Sequence, residues 1–270
     1  MDHFDAVFKK EIVYKINDMD HVEVQKNISD QFDHNRKSLM DLYTAYQKEP
    51  FSPRPVVILI HGEAKSVKNM KDAGQYCSLG KVIAASGLNA VTFNHRMLSD
   101  GFSMQEVIQD IKDLIQYVIN NADTLKINKN KIALWSFSGG VPFGMYVGLS
   151  SYFDDIKCII SYYGFGDFNY VSQFFSTPLN AKTLKDISLL KLIQKNAVFI
   201  PPMLIARAGL DAEILNESID EFIVEALRNN LTIDILNHAT GQHAFDLFND
   251  NDRTHEIIIK SLDFLKMHLK

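Results

Sequence analysis

The run Pro55-Val56-Val57-Ile58-Leu59-Ile60 constrains the fold more than any other stretch of this chain. Its β-branched and aliphatic side chains show no polar alternation, so a strand built from it is buried on both faces. Such strands belong to parallel sheets covered by helices, and parallel neighbours need long crossovers between them. The sequence supplies those crossovers. Gly87 to His95 reads as a strand, and Met104 to Asn120 as an amphipathic helix with Val107, Ile111, Leu114, Ile115 and Val118 on one stripe. Lys131 to Trp135 is a short buried strand followed by a turn and an apolar helix from about Val141. Ile156 to Tyr162, Pro202 to Ala206 and Leu231 to Leu236 read as further strands. Helices span Ile214 to Asn229, with Ile219, Phe222, Ile223 and Leu227 inward, and His255 to Leu269.

Before this alternation begins, Ala6 to Ile16, Val22 to Ile28 and Ser38 to Tyr46 show a rough period of two and read as edge strands. The whole predicts an α/β class, with a mostly parallel central sheet, antiparallel N-terminal edge strands and helices on both faces. Residues 1–270 are expected to form one domain, interrupted by a cap-like insertion at 164–196, which is too long for an ordinary loop between core strands.

Composition narrows the function. Lys plus Arg is 28 and Asp plus Glu is 33, a formal charge of −5, so nothing attracts nucleic acid or an anionic membrane in general. Cys77 and Cys158 alone make no disulfide framework and no zinc spacing, and they fit a reducing, cytoplasmic interior. The start Met1-Asp2-His3-Phe4-Asp5 lacks the basic and apolar regions of a secretory signal. The most apolar stretch, 197–206, is far shorter than the ~18 residues of a membrane span and holds two prolines. No H-E-x-x-H or Walker A sequence occurs, and Gly164-Phe165-Gly166 lacks the third glycine of a dinucleotide fingerprint. No cofactor is expected. The oligomeric state is left open.

The sharpest chemical signal is Ala133-Leu134-Trp135-Ser136-Phe137-Ser138-Gly139-Gly140. A buried strand runs into a tight turn with Ser138 at its apex and small residues, Ser136 and Gly140, two positions to either side. That arrangement lifts a hydroxyl out of the sheet and sets it at a helix N-terminus, whose free N–H groups favour a developing oxyanion. Upstream, the Pro55–Ile60 strand ends in His61-Gly62-Glu63-Ala64.

These residues resemble the α/β-hydrolase superfamily, in particular its dienelactone-hydrolase-like and carboxylesterase-like branches. The resemblance implies that the backbone N–H groups of Glu63 and Gly139 form an oxyanion hole. Two departures are visible. The H-G-G-G run of many esterases is His61-Gly62-Glu63-Ala64 here, and Ser136 stands where G-x-S-x-G has glycine. The family order of serine, acid and histidine points to Ser138, then Asp211 after the Pro202 strand, then His243 before the last helix. All three stand at C-terminal ends of strands, where open α/β sheets carry their sites.

Other residues compete for these roles. Asp211 also suits a helix cap, Asp167 is the substitute acid and His238 the substitute base. His61 reads as structural, hydrogen-bonded to loop backbone. His95 either shapes the pocket or bonds a loop, and His3, His21, His34, His255 and His268 read as surface residues. Tyr162, Tyr163, Phe165, Phe168, Tyr170, Phe174 and Phe175 crowd the start of the insertion. They suit a pocket wall, with Phe137, Tyr163 and Phe165 as expected substrate contacts, or simply anchor the excursion. Lys65, Lys68 and Lys71 read as a solvated helix face, with attraction of an anionic substrate as the other reading. The expected activity is a serine hydrolase of carboxylesterase type acting on a small-molecule ester. A peptidase, a thioesterase and a non-catalytic binding protein of the same fold are the alternatives.

Overall fold

The computed structural model describes residues 3–33, 36–45, 52–65, 67–150, 154–175, 185–196 and 200–270. Strands β1 (Val22–Asp33), β2 (Arg36–Ala45), β3 (Arg54–Ile60), β4 (Asn89–Phe93), β5 (Ile127–Phe137), β6 (Ile156–Tyr162), β7 (Met203–Ala208) and β8 (Ile233–His238) lie in one sheet. Their order is β1-β2-β4-β3-β5-β6-β7-β8. β2 pairs antiparallel with β1 and β4, and every later pairing is parallel. The helices are α1 (His3–Phe8), α2 (Gly74–Ala85), α3 (Met104–Asn120), α4 (Ala122–Leu125), α5 (Val141–Leu149), α6 (Phe168–Phe174), α7 (Leu189–Asn196), α8 (Glu213–Arg228), α9 (Phe245–Phe248) and α10 (Asp252–His268).

The unbroken apolar run of β3 divides between two cores because successive strand side chains point to opposite faces. Val56, Ile58 and Ile60 join the core under α3, α5, α7 and α8, while Val57 and Leu59 join the one under α2 and α10. α3 shows how local sequence sets an element. Ser103 and Glu106 form a reciprocal capping box at its start, and the expected stripe from Val107 to Val118 is buried. No helix among the described residues is long and apolar enough to cross a membrane. Cys77 and Cys158 are free, and burial pushes the Cys158 thiol up to about 12.

The first element differs from expectation. Ala6 to Ile16 forms no strand: His3–Phe8 is helical, and the chain then lies across the start of α2. Its backbone donors go elsewhere than a ladder, Ile12 N–H to Ser78 Oγ at 3.0 Å and Val13 N–H to the Asp246 carbonyl at 2.8 Å. The alternation there reflects one buried side chain, Ile12, rather than a pleat. Leu227 of α8 also departs, being 52% exposed on the outer side of its helix. Within 164–196, residues 176–184 between α6 and α7 lie outside the described set. Tyr46 and His34 also lie outside the described residues, whereas His21 is exposed and His255 and His268 are partly so.

Candidate active site

β5 delivers Phe137 in extended backbone and then turns sharply, with Ser138 at φ 51, left-handed for a residue that carries a Cβ. Such a conformation costs about 1–2 kcal/mol and persists only where its surroundings over-determine it. They do so here. A Cβ on Gly140 would run into the carbonyl oxygen of His61, so the turn is clamped against the loop leaving β3. Ser136 is fully buried, packed against Gly144 one turn into α5. That close packing explains why a small residue suffices where the motif has glycine.

Ser138 Oγ lies 2.8 Å from His243 Nε2, and His243 Nδ1 lies 2.7 Å from Asp211 Oδ2. One tautomer satisfies both contacts: Nδ1–H donates to the carboxylate and Nε2 accepts the serine hydroxyl proton. Asp211 also accepts from the Ala212 N–H at 2.8 Å, and its side chain is 4% exposed against 40% for His243. Backbone bonds hold the two loops in register. Gly209 N–H meets the His238 carbonyl at 2.9 Å, and Leu210 N–H the Gly241 carbonyl at 2.8 Å. The residues expected in the order serine, acid, histidine thus form one hydrogen-bonded row.

The competitors are engaged elsewhere. Asp167 is buried at the N-terminus of α6, accepting from Asn169 N–H, Ser188 Oγ and Leu190 N–H, so it fastens the insertion. His238 is buried with Nε2 3.1 Å from Thr254 Oγ1. His61 bonds loop backbone: Nδ1–H reaches the Gly62 carbonyl at 2.8 Å, and Nε2 accepts the His95 N–H at 3.3 Å. Its ring stacks on that of His95 at 3.6 Å between centroids. Burial, then the neighbouring His95, hold the His61 imidazole well below its ordinary pKa, so it stays neutral.

The loop from β3 passes beside the turn. Gly62 N–H donates to Tyr76 Oη at 2.9 Å, leaving Glu63 against Gly139, where a Cβ would stand 3.4 Å from Glu63 N. The Glu63 carboxylate is drawn aside by Leu98 N–H at 3.0 Å, Ser99 N–H at 2.9 Å and Ser99 Oγ at 2.7 Å. First-turn N–H groups lack intrahelical acceptors and carry the positive end of the helix dipole. Gly139 lies in such a first turn, and Glu63 stands beside it in the loop from β3.

A cavity of about 450 Å³ opens over Ser138 and His243. Glu63, Lys65 and Ser99 line its polar side, and Phe165, Phe174, Phe175, Ala212 and Leu215 its apolar side. Of the three expected substrate contacts, only Phe165 is among the lining residues. Phe137 belongs to the core, because its place on β5 directs it to the α2 face, between Trp135, Tyr76 and Tyr162. Tyr163 is buried with its ring edge against His243, centroids 5.0 Å apart. The lysines separate as well. Lys65 is exposed at the cavity and Lys68 beside a neighbouring cleft, whereas Lys71 is buried in an ion pair with Asp41 at 2.9 Å and Asp72 at 2.8 Å. Lys71 is thus no part of a solvated face. Among the described residues, no group of three His, Cys, Asp or Glu is placed to hold a metal ion.

Sheet order, turn and hydrogen-bonded row together define an α/β-hydrolase, and comparison with known proteins agrees on the fold. The BD-FAE family model matches residues 40–217, and the chain belongs to that family. Among solved structures it is similar to a thermophilic esterase of the planctomycete Thermogutta terrifontis in its propionate-bound form. That match has 16% identity and TM-score 0.73, covering 92% of this chain and 95% of the other. It is also similar to a thermostable esterase from Pseudomonas putida, at 14% identity and TM-score 0.74, covering 95% of this chain and 86% of the other. No curated protein sequence matches it significantly.

Proposed function

We propose that the protein is a serine hydrolase that cleaves carboxylic esters of small or medium size through an acyl-enzyme. The observation that carries this reading is the row from Ser138 Oγ through His243 to Asp211, with contacts of 2.8 and 2.7 Å, at the floor of an accessible cavity. The esterases it resembles in fold support it. His243 Nε2 takes the Ser138 proton as Oγ bonds to the ester carbonyl carbon, and Asp211 holds the tautomer and stabilises the imidazolium. The oxyanion is held by the Glu63 and Gly139 N–H groups. As the tetrahedral intermediate collapses, the alcohol leaves with the proton from His243 Nε2. Water, deprotonated by the same nitrogen, then releases the acid and restores Ser138.

We read 1–270 as one domain in the cytoplasm, with 164–196 as a cap that brings Phe165, Phe174 and Phe175 over the substrate. Steady-state turnover on matched acyl chains presented as 4-nitrophenyl esters, thioesters and aminoacyl amides tests the reaction class. The reading expects kcat/KM highest on the oxygen esters. Faster turnover of the amide or thioester would replace it with a peptidase or thioesterase, and no turnover of any with a binding role.

The clamp at Gly140 gives a second test. Gly140→Ala sets a methyl group against the His61 carbonyl and forces the turn and the loop apart. A displacement of that kind is expected to lower ester kcat/KM by about two powers of ten. Thermal unfolding should show a loss of about 1–3 kcal/mol for the overpacked site.

A further inference from the structure

Behind His243 lies a buried polar cluster that the reaction steps above do not use. Asp246, three residues along the chain and 1% exposed, stands in the first turn of α9. Gln75 Nε2 lies 2.7 Å from Tyr163 Oη and 2.7 Å from Asp246 Oδ2, giving one amide hydrogen to each. Tyr163 Oη, having accepted from Gln75, directs its single hydrogen to Asp246 Oδ1 at 2.5 Å. Both carboxylate oxygens accept, Oδ1 from Tyr163 and Oδ2 from Gln75, the pattern of an ionised, acceptor-only aspartate. Among the described residues Asp246 has no lysine or arginine partner, so its charge is met by neutral donors alone. The charge His243 carries when it takes the Ser138 proton acts on Asp246, and the Tyr163 ring that donates to Asp246 packs against the imidazole, 5.0 Å between centroids.

We propose that Asp246 is a positioning residue for His243: through Tyr163 its buried carboxylate fixes the imidazole ring and stabilises the imidazolium formed when Ser138 attacks. The proposal rests on the reading of Ser138 and His243 as nucleophile and base. No proton passes to Asp246; the proton moves between Ser138 Oγ, His243 Nε2 and the leaving oxygen. Burial outweighs the Tyr163 and Gln75 hydrogen bonds and the His243 charge, which act to lower it, so the Asp246 pKa lies above the ordinary carboxylate value. Tyr76, Tyr162 and Tyr163 are phenols pushed up by burial and so neutral in the working range. At the cavity, Glu63 is tied to Leu98 and Ser99, and Lys65 is exposed to solvent. Asp211 contacts the imidazole directly at 2.7 Å, and Asp246 stands behind it through Tyr163.

The same cluster joins the catalytic segments. Gln75 reaches the histidine loop through Asp246, and Tyr76, its neighbour on α2, holds Gly62 of the oxyanion loop. Tyr163 is itself held left-handed at φ 38, with its N–H on the Ala206 carbonyl at 2.9 Å.

The test is the pH dependence of kcat/KM for a 4-nitrophenyl ester in Asp246→Asn, with Asp246→Ser, which leaves room for water, as the second variant. Removing a negative charge disfavours the imidazolium, so the acid limb is expected to move to lower pH by about one unit. kcat should fall about tenfold with KM within about twofold, the split of an interaction used in the transition state. Ser261→Ala removes another buried hydrogen bond, that to Tyr162 at 2.7 Å, and should leave the acid limb in place. Folded Asp246 variants with an unmoved or raised acid limb would overturn the proposal. Ser138→Ala, run alongside, separates the two readings: if it retains turnover, the nucleophile assignment itself fails. If it is inactive while the Asp246 variants show no shift, only the role of Asp246 fails.

Discussion

Ser138→Ala is expected to lower kcat for ester hydrolysis by about five to six powers of ten while leaving the protein folded. The substitution removes one atom, the Oγ that must bond to the carbonyl carbon, and leaves the left-handed turn, the cavity and the Glu63 and Gly139 N–H groups in place. His243→Ala should cost about as much, because a hydroxyl without its base is as ineffective as a base without its hydroxyl. The double variant should therefore be little worse than either single one. Asp211→Asn keeps the size of the side chain but turns an acceptor into a donor toward Nδ1, favours the wrong tautomer, and is expected to cost about four powers of ten. Release of 4-nitrophenolate measures these losses, and circular dichroism with thermal melting shows whether each variant is folded. Additive losses would contradict a single row of hydrogen-bonded groups.

The largest expected effect on stability lies away from the cavity. Lys71→Met is expected to destabilise the protein by about 3–5 kcal/mol, the loss seen when one partner of a buried ion pair is removed. Asp41 is 0% exposed and Lys71 1% exposed. Asp41 Oδ1 accepts from Lys71 Nζ at 2.9 Å and from the Asn27 N–H at 2.7 Å, while Oδ2 has no partner among the described residues. Without the ammonium group the carboxylate is left buried beside a single neutral donor. Burial alone would lower the Lys71 pKa, but hydrogen bonds and charges from Asp72 and Asp41 outweigh it and raise the value. A base raised in the folded state stabilises fully below its unfolded pKa, and that contribution is lost as pH rises through the folded one. The pair thus contributes across the whole neutral range. Adding Asp41→Asn to Lys71→Met should recover most of the loss, since the amide oxygen still accepts from Asn27 and no charge remains buried. Chemical denaturation measures both, and activity per folded molecule should not change.

Much of the architecture could be read from local pattern because the sheet imposes it. A strand covered on both faces must be apolar at every position, as β3 is, and its two alternating sets of side chains fall into the two cores. That Ser138, Asp211 and His243 meet was legible for a related reason: each follows a strand, and a parallel sheet brings the C-terminal ends of its strands to one edge. What could not be read depends on contacts between segments far apart in sequence. Ile12 is buried by α2, so its neighbours imitate an edge strand. Phe137 and Tyr163 are adjacent in sequence to the turn and the insertion, but backbone direction sends the first to the core and the second beneath His243. Lys71 belongs to a run of lysines with even spacing, and only the fold brings Asp41 to it. Asp246 was in plain sight three residues after His243. Its role needs Gln75 and Tyr163, which no spacing links to it.

The central claim is that Ser138 is the activated nucleophile. Reaction of the folded protein with a fluorophosphonate probe, followed by digestion and mass mapping of the adduct, tests it directly. One phosphonylated residue is expected, Ser138, with loss of esterase activity in step with labelling, and no label in Ser138→Ala or in protein unfolded beforehand. A label on another serine, or none on folded protein, would contradict it.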